Sequence, residues 1–242
     1  MNRTPHPTFS GLEAVVFDLD GTLIDSLPDV LVAINRLLSS DGGRAPLTLP
    51  KLRTMVGHGA APMIEMAYRA TGSPLPDDAT LQAAVTRYLE FYKSDPASHT
   101  IVYPGVPETL TALKSEGILL GICTNKPFLM TNLVLEALNL AHHFCGLTGG
   151  DNVPNPKPDA DHINRTMTLM NCVSRCAVMV GDSGVDCAAG RNAGLPVVGV
   201  TYGYHLEKSP AALDADRIID HFSQLPDALS ALVRESTWKE RT

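Results

Sequence analysis

The sequence predicts an α/β protein in which a doubly wound parallel sheet is interrupted, directly after its first strand, by an all-helical insertion. Two observations carry this expectation. In the second half of the chain, short apolar runs rich in β-branched residues alternate with helix-patterned segments, the rhythm of parallel strands joined by helical crossovers. Between residue 26 and about residue 99 that rhythm breaks, leaving helical patterns and no convincing strand.

Strands are expected at residues 14–17, 118–123, 177–180 and 197–200, each a continuous apolar run of the kind needed by a strand buried on both faces. Ser26-Leu27-Pro28-Asp29 reads as the start of the insertion's first helix, with Ser26 as N-cap, Pro28 in the first turn and Asp29 at N3. Leu27, Val30, Leu31, Ile34, Leu37 and Leu38 then fall at helical spacing. A second helical stretch carries Leu52, Val56, Met63 and Met66, interrupted by Gly57-His58-Gly59, and a third carries Leu81, Val85, Tyr88, Leu89 and Tyr92. Tyr103-Pro104-Gly105 marks the return to the sheet, and further helices are expected at residues 108–115, 131–140, 159–170 and 184–193, the last closing on Gly194. The expected division is a sheet domain of residues 1–25 and 101–242 and a helical domain of residues 26–100, with the polar stretch 235–242 frayed.

With 242 residues, 44% of them hydrophobic and 19% charged, the chain can bury a sizeable core. Its formal charge of −7 argues against nucleic acid or an anionic membrane as the main partner, since both need clustered Lys and Arg. No run approaches the ~18 apolar residues of a membrane span, and residues 1–11 lack the apolar stretch of a secretory leader. Five scattered cysteines, an odd number, point to thiols in a reducing compartment, with Cys172 and Cys176 as small buried hydrophobes. The cytoplasm is the expected location.

The chemistry gathers at the ends of the expected strands, the edge where open α/β sheets hold their ligands. The first strand runs into Asp18-Leu19-Asp20-Gly21-Thr22, two carboxylates one residue apart that repel each other unless a cation lies between them or one takes a proton. The second ends in Thr124-Asn125-Lys126, where a hydroxyl and backbone N–H groups can hold phosphate-type oxygens or, equally, cap a helix. Lys157 lies between Pro156 and Pro158, which fix its backbone and aim its ammonium. The third strand ends in Gly181-Asp182-Ser183, followed by Asp186, whose spacing from Asp182 lets both acids face one way. Several carboxylates, one hydroxyl and one ammonium suit Mg²⁺, which prefers hard oxygen ligands, and suit phosphoryl transfer, which needs charge neutralisation and in-line positioning.

In these stretches the sequence resembles the haloacid dehalogenase superfamily, specifically its Mg²⁺-dependent phosphatases with a helical cap after the first strand of a Rossmann-like core. Asp18-Leu19-Asp20-Gly21-Thr22 is similar to the first motif of that family, Thr124-Asn125 to the second, Lys157 to the third, and Gly181-Asp182-Ser183 with Asp186 to the fourth. Val56-Gly57-His58-Gly59-Ala60, Gly149-Gly150-Asp151 and residues 195–205 resemble bacterial phosphoglycolate phosphatases in particular. Two positions depart from the family pattern: Gly190, where alanine is usual and helix stability is expected to suffer slightly, and Lys157, which follows an Asn-Pro pair in place of a second basic residue.

The resemblance implies a mechanism. Asp18 attacks phosphorus and forms an aspartyl-phosphate; Asp20 protonates the leaving alcohol and then deprotonates the hydrolytic water, while its backbone carbonyl ligates Mg²⁺. Asp18 and Asp182 supply carboxylates to the metal, and Asp186 acts through water or by orienting Lys157. Thr124 and Asn125 hold phosphoryl oxygens, Lys157 screens Asp18 and the phosphate, and Gly57 and His58 in the cap loop contact a small phosphorylated metabolite. His58, Arg53 and Arg69 are the candidates to meet a substrate carboxylate. The implied reaction is hydrolysis of 2-phosphoglycolate to glycolate and phosphate. The competing readings are another small-metabolite phosphatase or a sugar phosphomutase of the same superfamily, a hydrolytic dehalogenase, and a non-catalytic phospho-receiver. Asp20 argues against the last two, and the insertion argues further against the receiver.

Overall fold

The computed structural model describes residues 9–42, 45–72, 78–172, 176–204, 213–235 and 238. Strand β1 (Ala14–Phe17) is buried at all four positions and ends at Asp18. A tight turn leads to the two-residue strand β2 (Ile24–Asp25) and then to four helices: α1 (Leu27–Ser40), α2 (Leu49–Arg53), α3 (Ala60–Thr71) and α4 (Asp78–Ser94). Strand β3 (Ile101–Val102) pairs antiparallel with β2, so the outgoing and returning linkers are bonded to each other where the helical insertion meets the sheet. The remainder alternates: α5 (Val106–Ser115), β4 (Leu119–Cys123), α6 (Phe128–Ala137), β5 (Gly146–Thr148), α7 (Ala160–Leu169), β6 (Ala177–Gly181), α8 (Gly184–Asn192), β7 (Val197–Val200), β8 (Arg217–Ile219) and α9 (Leu225–Val233).

Six strands form one parallel sheet in the order β5-β4-β1-β6-β7-β8. The expected doubly wound sheet with an inserted helical cap is therefore present. Alternation along β1 divides the core: Val15 and Phe17 face the layer that includes Leu110, Val134 and Leu229, and Ala14 and Val16 face Ile163, Met167 and Cys187. The insertion's apolar face, with Ile34, Leu37, Ile64 and Tyr88, is continuous with the first of these layers. Cys172 and Cys176 are buried, as expected of small hydrophobes.

Several elements differ from expectation for identifiable reasons. Strands β5 and β8 escape notice in the sequence because they are three residues long and lie at the sheet edges. Helix α6 begins and ends three residues before the expected 131–140: Pro127 sits at its N-cap, and Asn139 at φ 55° follows the C-cap residue Leu138. Ser26 occupies the N-cap of α1 without a side-chain cap bond, because its hydroxyl donates to Asp20 Oδ1 at 2.5 Å. Asp29 likewise does not close a capping box. It accepts from the His99 backbone N–H at 3.0 Å and from Thr100 Oγ1 at 2.6 Å, fastening α1 to the returning linker. Gly190 is a packing requirement: a Cβ there would lie 2.4 Å from Val197 Cγ2, so the glycine lets α8 approach the sheet closely. Of the segment expected to fray, Trp238 is buried in the core, Glu235 is described, and the rest lies outside the described residues.

Candidate active site

The parallel register puts three strand ends side by side. Phe17 pairs with Ile122 on one side and Val180 on the other, so Asp18 emerges level with Cys123 and Gly181, immediately before Thr124 and Asp182. Lys157, from the loop before α7, reaches into this edge. Its Nζ donates to Asp18 Oδ1 at 2.8 Å and to Asp186 Oδ1 at 2.6 Å, and its side chain is only 2% exposed. His162 on α7 accepts the Lys157 backbone N–H on Nδ1 at 3.0 Å, which requires a neutral ring; burial, with the Lys157 charge, pushes its pKa down to about 4.

Asp18, Asp182 and Asp186 each offer an oxygen within 4.8 Å of the others, and all three are buried. Burial chiefly, with the charges of Asp186 and Asp20, raises the Asp18 pKa to about 6 despite Lys157. Burial together with Asp186 and Asp18 pushes Asp182 well above the ordinary carboxylate range. Burial works to discharge Lys157, but the two carboxylates prevail and raise its pKa. Three buried acids around one ammonium leave negative charge uncompensated, and a hard divalent cation suits such an oxygen cluster. The carboxylates are not equally available to it. Asp186 is committed, its Oδ2 accepting the Ser183 N–H at 3.1 Å and Oγ at 2.7 Å in the capping box of α8. Asp182 Oδ2 accepts the Tyr204 N–H at 2.5 Å, while Oδ1 has only a long contact, 3.4 Å, from Thr22 Oγ1. Glycines wall the cluster: a Cβ on Gly21 or Gly203 would come within 2.4 Å of Asp182, and one on Gly181 within 2.3 Å of Asp186.

Asp20 faces away from this cluster. Its carboxylate accepts from Ser26 Oγ at 2.5 Å and, through both oxygens, from Lys126 Nζ at 3.1 Å. Lys126 is buried, donates to Tyr92 Oη of cap helix α4 at 2.8 Å and lies 4.7 Å from that ring's centre. Thr124 is buried, with its N–H on the Thr148 carbonyl at 3.2 Å and its hydroxyl accepting the Lys126 N–H at 3.3 Å. Asn125 joins the layers: its Nδ2 donates to the Gly57 carbonyl of the cap loop and to the Lys157 carbonyl, each at 3.0 Å. A cavity of about 340 Å³ opens between these groups and the helices, lined by Asp18, Asp20, Lys126, His58, Val56 and Met63 among others.

Residues 15–200 match the model of the haloacid dehalogenase-like hydrolases. This chain belongs to that family. Among these hydrolases it is similar to the phosphoglycolate phosphatase of Rhodospirillum rubrum, with 40% identity over 220 residues that cover 90% of both chains. It is also similar to the phosphoglycolate phosphatase of Agrobacterium fabrum, with 38% identity covering 88% of this chain and 91% of the relative. A crystal structure of a predicted phosphoglycolate phosphatase from Haemophilus somnus superposes with a TM-score of 0.82 at 29% identity, covering 90% of this chain and 98% of that one. As a haloacid dehalogenase-like hydrolase with these relatives, the chain is an enzyme of the phosphatase class. That membership sets aside the non-catalytic receiver. Among the described residues no helix is long and apolar enough to cross a membrane.

The structure brings together Asp18, Asp20, Thr124, Asn125, Lys157, Asp182 and Asp186, with Gly57 and His58 on the cavity's cap side. Arg53 and Arg69 do not line the cavity: Arg53 stacks 5.6 Å from the Tyr204 ring, and Arg69 pairs with Glu65 at 2.6 Å. A Cβ on Gly57 would meet nothing within 4 Å of the protein and one on Gly59 would lie 3.5 Å from the Asn125 carbonyl oxygen, so protein packing does not demand glycine in that loop. The backbone angles do, with φ 105° at Gly57 and 93° at Gly59. Sequence reasoning missed Lys126, Tyr92 and Tyr204 as members of the site. Lys126 directly follows the second motif and Tyr204 lies within the resembling stretch 195–205, whereas Tyr92 reads only as one position of an apolar helix face.

Proposed function

We propose that this phosphatase hydrolyses 2-phosphoglycolate to glycolate and phosphate through an aspartyl-phosphate on Asp18, with Mg²⁺ as its metal. The observation that carries the reading is the Lys157 ammonium held between Asp18 and Asp186 at the sheet edge, beside the less committed carboxylate of Asp182. It is supported by the names of the relatives, which extend to the substrate.

In this reading Asp18 and Asp182 hold the metal with the Asp20 backbone carbonyl, and Asp186 acts mainly by fixing Lys157. Bound there, Mg²⁺ would neutralise phosphoryl charge and favour an in-line approach. An Asp18 carboxylate oxygen attacks phosphorus, the bond to the ester oxygen breaks, and Asp20 gives its proton to that departing oxygen. Asp20 then takes a proton from the water that attacks phosphorus, which restores Asp18 and releases phosphate. Thr124 and the Asn125 backbone hold the phosphoryl oxygens, and Lys157 keeps their charge screened from Asp18. Gly57 and His58 meet the substrate from the cap, taken as residues 26–100 moving against 1–25 and 101–242. The cytoplasm, with its supply of small phosphorylated metabolites, is the proposed place of work.

The test is a kinetic panel of small phosphate esters with Mg²⁺, run on the wild type and Asp18→Asn. The highest kcat/KM is expected for 2-phosphoglycolate, with turnover lost in the variant while its circular dichroism and Tm hold. Wild-type-like turnover by Asp18→Asn would sink the covalent route. Conversion of a hexose 1-phosphate into its 6-phosphate, without release of phosphate, would make the enzyme a mutase.

A further inference from the structure

We propose that Lys126, held by Tyr92, reads a carboxylate on the leaving group and so selects short 2-phosphooxy-carboxylates; this rests on the function proposed above. The position of the leaving group follows from the chemistry. In-line displacement places the departing oxygen opposite Asp18, within hydrogen-bonding reach of the acid that protonates it. That acid, Asp20, has Lys126 Nζ 3.1 Å from both of its oxygens. The cation that touches the acid therefore borders the first atoms beyond the departing oxygen. In 2-phosphoglycolate the carboxylate carbon is two bonds from that oxygen, which brings its anionic end to Lys126. In a hexose phosphate the second anionic group is absent or lies several bonds further out.

Among the described residues lining the cavity, no other cation can take this part. Lys157 sits on the side of the attacking carboxylate, between Asp18 and Asp186, and His58 is exposed. The remaining wall toward the cap is largely apolar, with Val30, Val56, Met63 and Leu89. An anion entering such a wall needs a fixed, paired cation to offset its lost hydration. Lys126 is fixed: its side chain is 5% exposed and is held by Tyr92 Oη at 2.8 Å. Burial works to discharge it, yet Asp20 and Tyr92 raise its pKa and keep it charged. Tyr92 belongs to the cap and Lys126 to the sheet domain, so this carboxylate site is complete only with the cap seated.

A purely structural Lys126 would steady Asp20 and treat every leaving group alike. The two roles separate in a ratio. The measurement is kcat/KM for 2-phosphoglycolate, for its uncharged amide and for p-nitrophenyl phosphate, in the wild type, Lys126→Met and Tyr92→Phe. The wild type is expected to favour the acid over the amide by about ten- to hundredfold, the size of a charge-assisted hydrogen bond. Lys126→Met should bring that preference close to one, and Tyr92→Phe should reduce it in the same direction by a smaller factor. A wild type that hydrolyses acid and amide equally overturns the proposal with no variant needed, as does full preference in a folded Lys126→Met. Loss of the preference in His58→Ala with its retention in Tyr92→Phe would also overturn it. If Lys126→Met does not fold, the wild-type and Tyr92→Phe arms decide. Failure of the wild type to hydrolyse any of the three esters with Mg²⁺ would instead bring down the proposed function itself.

Discussion

Tyr204 holds Asp182 with its main chain and the start of the cap with its side chain. Its N–H donates to Asp182 Oδ2 at 2.5 Å, while its hydroxyl accepts the Ser26 N–H at 2.8 Å and donates to Asp25 Oδ1 at 2.6 Å. Nearby, Tyr202 Oη donates to the Thr22 carbonyl at 2.9 Å, and its ring centre lies 4.5 Å from that of Tyr103 on the returning linker. One loop thus positions an acid of the candidate metal cluster and anchors both strands of chain that connect sheet and insertion.

Tyr204→Phe removes the acceptor of a buried backbone N–H and keeps the ring. An unsatisfied buried donor costs about 1–3 kcal/mol, so the midpoint of urea unfolding is expected to fall by that equivalent with an unchanged m-value. An unaltered midpoint would show that the hydroxyl contributes nothing to the anchor.

Asp29 is expected to make stability depend on acid pH. Burial works to raise its pKa, but hydrogen bonds from Thr100 and from the side chain and backbone of His99 together bring it below the ordinary 3.8. The folded protein therefore binds this proton less readily than the unfolded chain. The stabilisation is fully present above the unfolded value and is lost as the pH falls through the folded one. Asp29→Asn should cost about 1.5–3 kcal/mol at pH 7, the range for hydrogen bonds to a charged group. The gap to wild type should begin to narrow as the pH falls below about 4 and go on narrowing toward the lower folded value. Urea unfolding at pH 7 and pH 3 measures it, and a gap independent of pH would refute the assignment.

Gly190→Ala sets two effects against each other. Alanine gains about 1 kcal/mol of helix propensity, whereas a methyl pressed 2.4 Å from Val197 Cγ2 forces the sheet and α8 apart. Overpacking of a buried contact costs about 1–3 kcal/mol, and a β-branched strand residue yields little. Net destabilisation is expected in thermal unfolding, and a raised Tm would mean that the core relaxes at no cost.

Metal binding should show in stability as well as in rate. A cation that binds only the folded state raises Tm by mass action, so Mg²⁺ is expected to stabilise the metal-free protein and Asp182→Asn to abolish that response. Calcium prefers more oxygens at longer distances; it is expected to raise Tm while inhibiting turnover. Full activity in excess chelator would remove the metal from the reaction.

Much of this was legible in the chain because the fold places chemistry where strands end. A buried parallel strand must be a short apolar run, and the polar residues that stop it fall at the ligand edge, so Asp18, Thr124 and Asp182 announce themselves by position. The helical insertion was equally visible, since its apolar faces repeat at helical spacing. Local capping rules misled at Ser26 and Asp29, where distant partners outcompete the cap, while the capping box that does form, between Ser183 and Asp186, was not read from the sequence.

By itself, then, the sequence determined the doubly wound sheet, the all-helical insertion and the order of the reactive groups along the chain, all of which follow from local pattern. Tertiary structure alone decided how those groups share their charges. Lys157 meets acids 139 and 29 residues away, and Lys126 meets Asp20 106 residues away and Tyr92 34 residues away. The physical reason is that hydrogen bonds and charge pairs act over a few ångströms between atoms whose separation along the chain carries no information. Only the packed strand edge and the seated cap give the two lysines their separate partners, Asp18 and Asp186 for Lys157, Asp20 and Tyr92 for Lys126.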